Sequence, residues 1–138
     1  MEVQANTNIT YTNDMLSYEG FKATVLSDFK AAIISRETSL LGRKEVLTGK
    51  AKFGIFGDGK EVAQIAIAKC FKTGDFRSGY YRDQTFMFAT GLANVEQFFA
   101  QLYADPIEGH DPFSGGRQMV AHFASRFVDE QGNWLDLA

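Results

Sequence analysis

Two segments of this 138-residue sequence carry the side chains best suited to chemistry, and the first is residues 79–83, GYYRD. Arg82 follows two tyrosines in a stretch that we expect to be largely buried, and an unpaired charge in a low-dielectric interior is costly. The guanidinium therefore needs an anion, and its forked donors suit a phosphate or a carboxylate better than lysine would. Two interpretations follow: Arg82 pairs with Asp83 or a glutamate, or it clamps an anionic ligand.

The second segment, residues 115–123, reads GGRQMVAHF and contains His122, one of two histidines. Its glycine pair would let the backbone approach a ligand closely. An acid–base role near neutral pH falls to His122, to His110 or to a group with a perturbed pKa. A purely structural role is the alternative for His122, and His110 lies beside Asp111 in a loop that we expect to be exposed. Two histidines and the single Cys70 do not make a zinc site.

A third segment, residues 54–60, reads GIFGDGK and has the spacing of a nucleotide-binding phosphate loop. Such a loop ends in a serine or threonine that ligates magnesium, whereas Glu61 stands here and would add negative charge beside the phosphates. A helix start explains the same residues: Asp58 would cap the helix and Glu61 would complete a D-x-x-E capping box. The sequence therefore does not favour a nucleotide hydrolase.

Composition limits the remaining functions. The length suits one domain with a single core. A net charge of −3 argues against nucleic-acid binding, and no apolar run approaches the roughly 18 residues that span a bilayer. A lone cysteine provides no internal disulfide, so we expect a cytoplasmic protein that does not act on membranes. Thirteen phenylalanines are more aromatic surface than so short a chain readily buries, which suggests a partner.

Hydrophobic spacing predicts the elements that position these segments. Residues 1–13 are polar and are expected to form a flexible arm, and residues 14–138 to form one domain. A long amphipathic helix is predicted over residues 14–41, broken by Gly42 and Gly49. Its apolar stripe comprises Leu16, Phe21, Val25, Phe29 and Ile33.

Shorter elements follow this helix. Residues 62–71 are apolar on nearly all sides and predict a buried short helix, and residues 76–82 predict a short strand or an extended segment. Residues 86–91 resemble a buried half-helix, and Asn94 begins another helix through a capping box with Gln97. The outline is a helix-rich α/β fold, mostly helices with few short strands, and it lacks the strand–helix alternation of a complete doubly wound sheet.

Taken in order, the motifs resemble those of a known family. They are Gly59-x-Glu61, Asp75, Tyr81-Arg82-Asp83, Gly91, residues 116–119 (GRQM) and His122. This order and spacing, over roughly residues 50–125, is similar to the α part of the thiamine-diphosphate-dependent 2-oxoacid dehydrogenases, and most similar to the branched-chain type that acts on 2-oxoisovalerate. Val120 stands where that family usually has proline.

The resemblance implies site residues, cofactors and partners. Tyr81 and Arg82 would contact the diphosphate of thiamine diphosphate, and His122 would be catalytic, near the thiazolium and the substrate. The implied reaction decarboxylates a 2-oxo acid on the cofactor and passes the acyl group to the lipoyl group of an acyltransferase. The implied partners are a β subunit, or a β part fused to this chain, and that acyltransferase.

The resemblance also implies missing parts. The family's magnesium-diphosphate motif is GDG followed by Asn, and residues 57–59 do not supply it because the next asparagine, Asn94, lies too far downstream. We therefore expect the Mg motif beyond this chain, no metal ligand within it, and residues 14–138 to be the N-terminal portion of a truncated thiamine-diphosphate-binding domain. The fragment alone is expected to be inactive and to bind the cofactor weakly or not at all. The alternative is a non-catalytic helical protein-interaction module whose GYYRD and GRQM segments lie far apart.

Overall fold

The computed structural model describes residues 17–72, 75–124 and 131. Four helices occur there: α1 (Tyr18–Leu47), α2 (Glu61–Cys70), α3 (Gln84–Ala89) and α4 (Val95–Leu102). No strand occurs among these described residues, and the stretch 76–82 is irregular chain that ends in a turn. The helix-rich prediction is thus confirmed. The predicted arm over residues 1–13 lies outside the described residues.

α1 begins at a side-chain cap and runs further than its sequence predicted. The hydroxyl of Ser17 accepts a hydrogen bond from the Gly20 amide at 3.1 Å, which satisfies one of the free amides of the first turn. The predicted break at Gly42 is wrong, because the helix continues to Leu47 and Gly42 is buried within it. The ring of Phe56 lies 2.5 Å from where a Cβ at Gly42 would stand, so the glycine makes room for an aromatic contact.

The face of α1 that packs onto the rest of the chain is polar. Its buried residues are Ser35, Thr38, Ser39, Gly42 and Glu45. The fully buried Gln84 of α3 donates to the Ser35 carbonyl at 2.8 Å, and the Ser35 hydroxyl lies 2.7 Å from the Thr85 hydroxyl. These bonds satisfy polar groups that would otherwise be costly to bury.

The predicted apolar stripe of α1 faces solvent instead. Phe21, Val25, Phe29 and Ile33 are between 44% and 63% exposed, and Leu16 lies outside the described residues. An apolar stripe predicts that a face exists but does not say which element covers it.

α2 also differs from its prediction. Only Glu61 and Ile65 are buried in this helix, whereas Val62 is 81% and Ile67 60% exposed, so the expectation of burial on all sides is wrong. The predicted capping by Asp58 is wrong as well. Lys60 is the residue before the helix, and Asp58 instead forms an ion pair with Arg43 at 2.6 Å.

α3 (Gln84–Ala89) lies two residues earlier at each end than the half-helix predicted over residues 86–91, and α4 begins at its predicted cap. Gln84, Thr85, Phe86 and Met87 are buried in α3. The amide of Gln97 donates to the Asn94 side chain at 2.9 Å while the Gln97 side chain accepts from the Asn94 amide at 3.0 Å, which forms the predicted capping box. None of the four described helices combines the length and apolar character needed to cross a bilayer.

The core lies between α3, α4 and the segment that carries His122. Phe98 of α4 and Met87 of α3 are fully buried. The rings of Phe88 and Phe99 meet Phe98 edge to face, a favourable geometry for aromatic quadrupoles. The buried members of this cluster are Ala51, Phe86, Met87, Ala93, Phe98, Leu102, Val120, Ala121 and Phe123.

Candidate functional site

The structure brings together the three side chains singled out from the sequence. The rings of Tyr81 and His122 stack with centroids 6.3 Å apart and an interplanar angle of 29°. The guanidinium carbon of Arg82 lies 5.0 Å from the centroid of the Tyr81 ring, within cation–π range. Tyr81 therefore links an exposed cation to a half-buried imidazole.

Arg82 does not form the ion pair that the sequence offered as its alternative. The carboxylate of Asp83 accepts from Nη1 of Arg77 at 2.7 Å and from the Tyr80 amide at 2.8 Å. Within the described part of the chain, Arg82 forms no ion pair. The expected burial of residues 79–83 is wrong, since Tyr80 is 57% exposed and Arg82 is exposed. The guanidinium is therefore solvated, and its donors are available to an anion from outside.

Two residues that sequence reasoning missed hold the backbone at Arg82. Nε2 of Gln64 donates to the Arg82 carbonyl at 2.6 Å, and Oε1 of the same amide accepts from the Phe86 amide at 2.9 Å. A Cβ at Gly57 would stand 2.7 Å from the Arg82 carbonyl oxygen, so only glycine permits this approach. Gln64 had no local sequence signal, because its bonding partners lie on another element.

The segment 54–60 thus serves packing rather than phosphate binding. Both carboxylate oxygens of Glu61 accept from the Gly59 amide at 3.0 Å, which occupies a donor that a phosphate loop would need. The same carboxylate accepts from Nε and Nη2 of Arg36 at 2.7 and 2.9 Å. These bonds, chiefly the one from Arg36, lower the pKa of Glu61 to about 2 against the opposing effect of burial.

Backbone carbonyls orient the His122 ring. Its Nδ1 lies 3.1 Å from the Met119 carbonyl oxygen and 3.2 Å from that of Val120. Because a carbonyl only accepts, these partners assign the hydrogen of the neutral ring to Nδ1 and leave the lone pair on Nε2. Such a nitrogen can accept a proton or a hydrogen bond from a ligand.

The backbone around His122 is held from α4. Nε2 of the buried Gln101 donates to the His122 carbonyl at 3.1 Å, and Ala121 has a φ of 62°, which alanine seldom adopts. Among the described residues, Oε1 of Gln101 has no hydrogen-bond partner. Gln101 is a second positioning residue that the sequence did not reveal.

The loop before His122 is fixed by the buried Asp111. Its carboxylate accepts from the amides of Phe113, Ser114 and Gly116 and from the Ser114 hydroxyl at 2.5–3.3 Å. His110 instead bonds the Asp105 carboxylate at 2.8 Å and lowers its pKa. The two histidines therefore have different partners, and the stacked ring on Tyr81 is His122.

The cluster suits recognition of a small anion beside a planar group. Arg82 offers charge-assisted donors, Tyr81 an aromatic face, and His122 an acceptor. Over residues 17–72 and 75–124, no three of the histidine, cysteine, aspartate and glutamate side chains form a group that could hold a metal ion.

Comparison with known proteins gives one match. Residues 29–134, more than half of the chain, match a family model described as dehydrogenase E1 component. No curated protein and no solved structure matches the chain. The matched range includes Arg36, Glu61, Tyr81, Arg82 and His122.

Proposed function

The chain belongs to the dehydrogenase E1 component family, and from this premise we propose that Tyr81, Arg82 and His122 form this chain's share of a thiamine diphosphate site. Membership makes it an α-type component of a 2-oxoacid dehydrogenase, an oxidoreductase. The helix-rich fold of the described residues fits a fragment of a thiamine-diphosphate-binding fold.

One observation carries the proposal: Arg82 lies on the same aromatic ring that His122 stacks against. An exposed guanidinium without an ion pair in the described chain matches the diphosphate in charge and geometry. The residues present therefore fit the anionic end of the cofactor. Residues 17–72 and 75–124 hold no group of three side chains that could bind Mg²⁺, so the proposal assigns these residues no part in metal binding.

Each side chain has a distinct role in this proposal. When bound, thiamine diphosphate supplies the carbanion that attacks the 2-oxo acid and the electron sink for its decarboxylation. Arg82 neutralises phosphate oxygens, and the Tyr81 ring limits where that guanidinium can lie. His122, through Nε2, which has no hydrogen-bond partner among the described residues, is placed to hydrogen-bond the reacting end of cofactor or substrate, where charge changes during the reaction.

The finer assignments are proposed on the resemblance of residues 50–125. The substrate is a branched-chain 2-oxo acid of the 2-oxoisovalerate kind, and the acyl group passes to a lipoyl-bearing acyltransferase. A β subunit or a fused β part completes the site, so this chain alone is inactive. The expected location is the cytoplasm.

The alternative of a non-catalytic interaction module is less well supported. It predicted that the GYYRD and GRQM segments lie far apart, whereas Tyr81 and His122 are in ring contact.

The test is an NMR titration of the 138-residue chain with thiamine diphosphate, inorganic diphosphate and thiamine. Binding is expected to be weak, and both diphosphates should shift the signals of Arg82 and Tyr81. Only thiamine diphosphate should also shift the ring of His122 strongly.

Variants make this titration specific. Arg82→Ala should weaken binding about 10- to 100-fold, because a hydrogen bond to a charged group contributes about 1.5–3 kcal/mol. Arg43→Ala, which removes another exposed arginine from an ion pair, should leave binding unchanged. Equal affinity in Arg82→Ala, or no shift at the cluster with tens of millimolar ligand, would contradict the proposal.

A further inference from the structure

Arg77 is a second arginine in the segment that carries Arg82, and its surroundings differ from those of Arg82. Only 18% of the Arg77 side chain is exposed, whereas Arg82 is an exposed residue. The guanidinium carbon of Arg77 lies 5.6 Å from the centroid of the Phe86 ring, within cation–π range. Its Nη2 lies 3.4 Å from the carbonyl oxygen of Phe123, the residue after His122. Arg77 is therefore packed against the core, to which both phenylalanines belong.

Asp83 is the anion that compensates the charge of Arg77. Its Oδ2 accepts from Nη1 of Arg77 at 2.7 Å and from the Tyr80 amide at 2.8 Å. The Asp83 side chain is 29% exposed, so both members of the pair have lost part of their contact with water. Separating such a pair would leave two poorly solvated charges, which makes it stronger than an ion pair between fully exposed groups.

Arg82 is the other candidate for this carboxylate. Residues 76–83 contain two arginines and one aspartate, and Arg82 directly precedes Asp83. Because an unpaired charge costs more when buried than when solvated, the carboxylate goes to Arg77, the more buried of the two arginines. Arg82 lies over the Tyr81 ring and forms no ion pair among the residues that the structure describes.

We propose that Arg77 is a positioning residue: by neutralising Asp83 it keeps the Arg82 guanidinium free for an anionic ligand. The inference rests on the proposed function for the identity of that ligand, a diphosphate. The division of roles between the two arginines rests on the contacts of Arg77 alone. Without Arg77, the Asp83 carboxylate lacks its cation and competes with the ligand for Arg82.

The rate of modification by phenylglyoxal, a reagent for arginine, tests this division of roles without a ligand. The reagent attacks the uncharged guanidine, so a carboxylate partner that stabilises the charged form slows the reaction. In the wild-type chain, mass spectrometry should show Arg82 modified at least about 10-fold faster than Arg77, as for a pKa difference of one unit. In Arg77→Met the reaction of Arg82 should be slower than in wild type, and Arg77→Met/Asp83→Asn should restore it.

Titration with inorganic diphosphate, followed by NMR, measures the consequence for binding. Arg77→Met should weaken binding about fivefold, because the ligand must then displace an exposed ion pair between Arg82 and Asp83. Adding Asp83→Asn removes the competing carboxylate and should return the affinity to that of wild type within about twofold.

Two further variants separate this role from a general effect of charge or structure. Arg77→Lys still neutralises Asp83 and should bind diphosphate like wild type, although lysine lacks the planar fork that packs over Phe86. Lys69→Met is the matched control, because it also removes a cation from a carboxylate, that of Asp28 at 2.9 Å, and it should not change binding.

The outcomes distinguish this inference from the proposed function. A wild-type chain that binds no diphosphate contradicts the proposed function, and the phenylglyoxal rates still decide the role of Arg77. Diphosphate binding that is equal in wild type and Arg77→Met, or no recovery in Arg77→Met/Asp83→Asn, would overturn the inference while the proposed function stands. If Arg77→Met does not fold, the two wild-type phenylglyoxal rates decide, and equal rates at Arg77 and Arg82 would overturn the inference.

Discussion

Arg36 on α1 and Arg82 before α3 show two uses of a guanidinium group in one small molecule. Arg36 donates through Nε and Nη2 to both carboxylate oxygens of Glu61, whose side chain is only 8% exposed. Arg82 lies over the ring of Tyr81 and has no ion pair within the described chain. The two regions are close in the fold, since the loop that leads to Glu61 also contacts the Arg82 backbone through Gly57.

The difference separates a charge that is neutralised within the described chain from one that, in the proposed site, a ligand would neutralise. A bidentate pair with a buried partner is complete within the chain, so removing one member leaves an uncompensated charge. An exposed guanidinium held by its backbone is positioned but not neutralised, so under the proposed function its removal should affect ligand binding rather than the fold. Stability measurements can therefore test the two assignments separately from activity.

The largest expected effect is at Arg36. Arg36→Ala leaves the Glu61 carboxylate with hydrogen bonds from backbone amides alone, chiefly that of Gly59. We predict a loss of about 2 kcal/mol in the free energy of unfolding, measured by urea denaturation, because the 44% exposed Arg36 places this pair between buried and surface ion pairs. Arg43→Ala breaks the more exposed pair with Asp58 and should cost less than about 1 kcal/mol. Equal losses of stability in the two variants would show that the Arg36–Glu61 pair stabilises the fold no more than the exposed Arg43–Asp58 pair.

Lowering the pH should break the same pair from the carboxylate side. The pKa of Glu61 falls from 4.5 to about 2 on folding, so its contribution is complete above the ordinary pKa and is lost as the pH falls from about 5 towards 2. The shift corresponds to about 3 kcal/mol, which solvent around the 44% exposed Arg36 side chain reduces to about 2.

Glu61→Gln isolates this effect from the other carboxylates. Hydrogen bonds from Tyr103 and His110 also lower the pKa values of Glu45 and Asp105, so the wild-type profile contains their contributions too. Urea titrations at pH 7 and pH 3 should show a smaller pH dependence in Glu61→Gln. The same pH dependence of stability in wild type and Glu61→Gln would show that other groups cause the loss of stability in acid.

Removing the side chain that holds the His122 backbone should lower the free energy of unfolding less than Arg36→Ala does. Gln101→Met removes the donor to the His122 carbonyl but also a buried acceptor that has no partner in the described chain. The two changes offset each other, and we predict a loss of about 1 kcal/mol or less. NMR should show shifted ring signals for His122, with those of His110 unchanged as the internal control. Unmoved His122 signals would show that Gln101 does not position it.

Arg82→Ala is predicted to have the smallest effect on stability. Its free energy of unfolding should stay within about 0.5 kcal/mol of wild type, as for a surface substitution away from buried networks. The backbone bond from Gln64 to the Arg82 carbonyl is retained in the variant. A loss near that of Arg36→Ala would show that Arg82 is a structural residue.

Local signals predicted local features well. The Asn94–Gln97 capping box and the buried turn of α3 follow from residues within a few positions of one another. The Arg36–Glu61 pair has no such signal, because its members lie on different helices. The sequence instead predicts a capping box between Asp58 and Glu61. That prediction is wrong, because Glu61 pairs with Arg36 and Asp58 pairs with Arg43.

Hydrophobic spacing predicted the apolar stripe of α1 but not the face through which α1 packs onto the rest of the chain. The stripe through Phe21 and Phe29 is real, but α1 packs inward through serine and threonine side chains bonded to Gln84 and Thr85 of α3. Tyr81, Arg82 and His122 were found from their chemistry and the family resemblance. Their mutual contact could not be predicted from spacing, because it depends on the loop that Asp111 fixes.

The most direct test of the central claim is whether Tyr81 and His122 are in contact in solution. With ring signals assigned from Tyr81→Phe and His122→Gln, a carbon-edited NOE spectrum should show cross-peaks between the Tyr81 and His122 rings, which stack with centroids 6.3 Å apart. His110 should give no cross-peak to Tyr81. Well-resolved signals from both rings without a cross-peak between them would contradict a shared site.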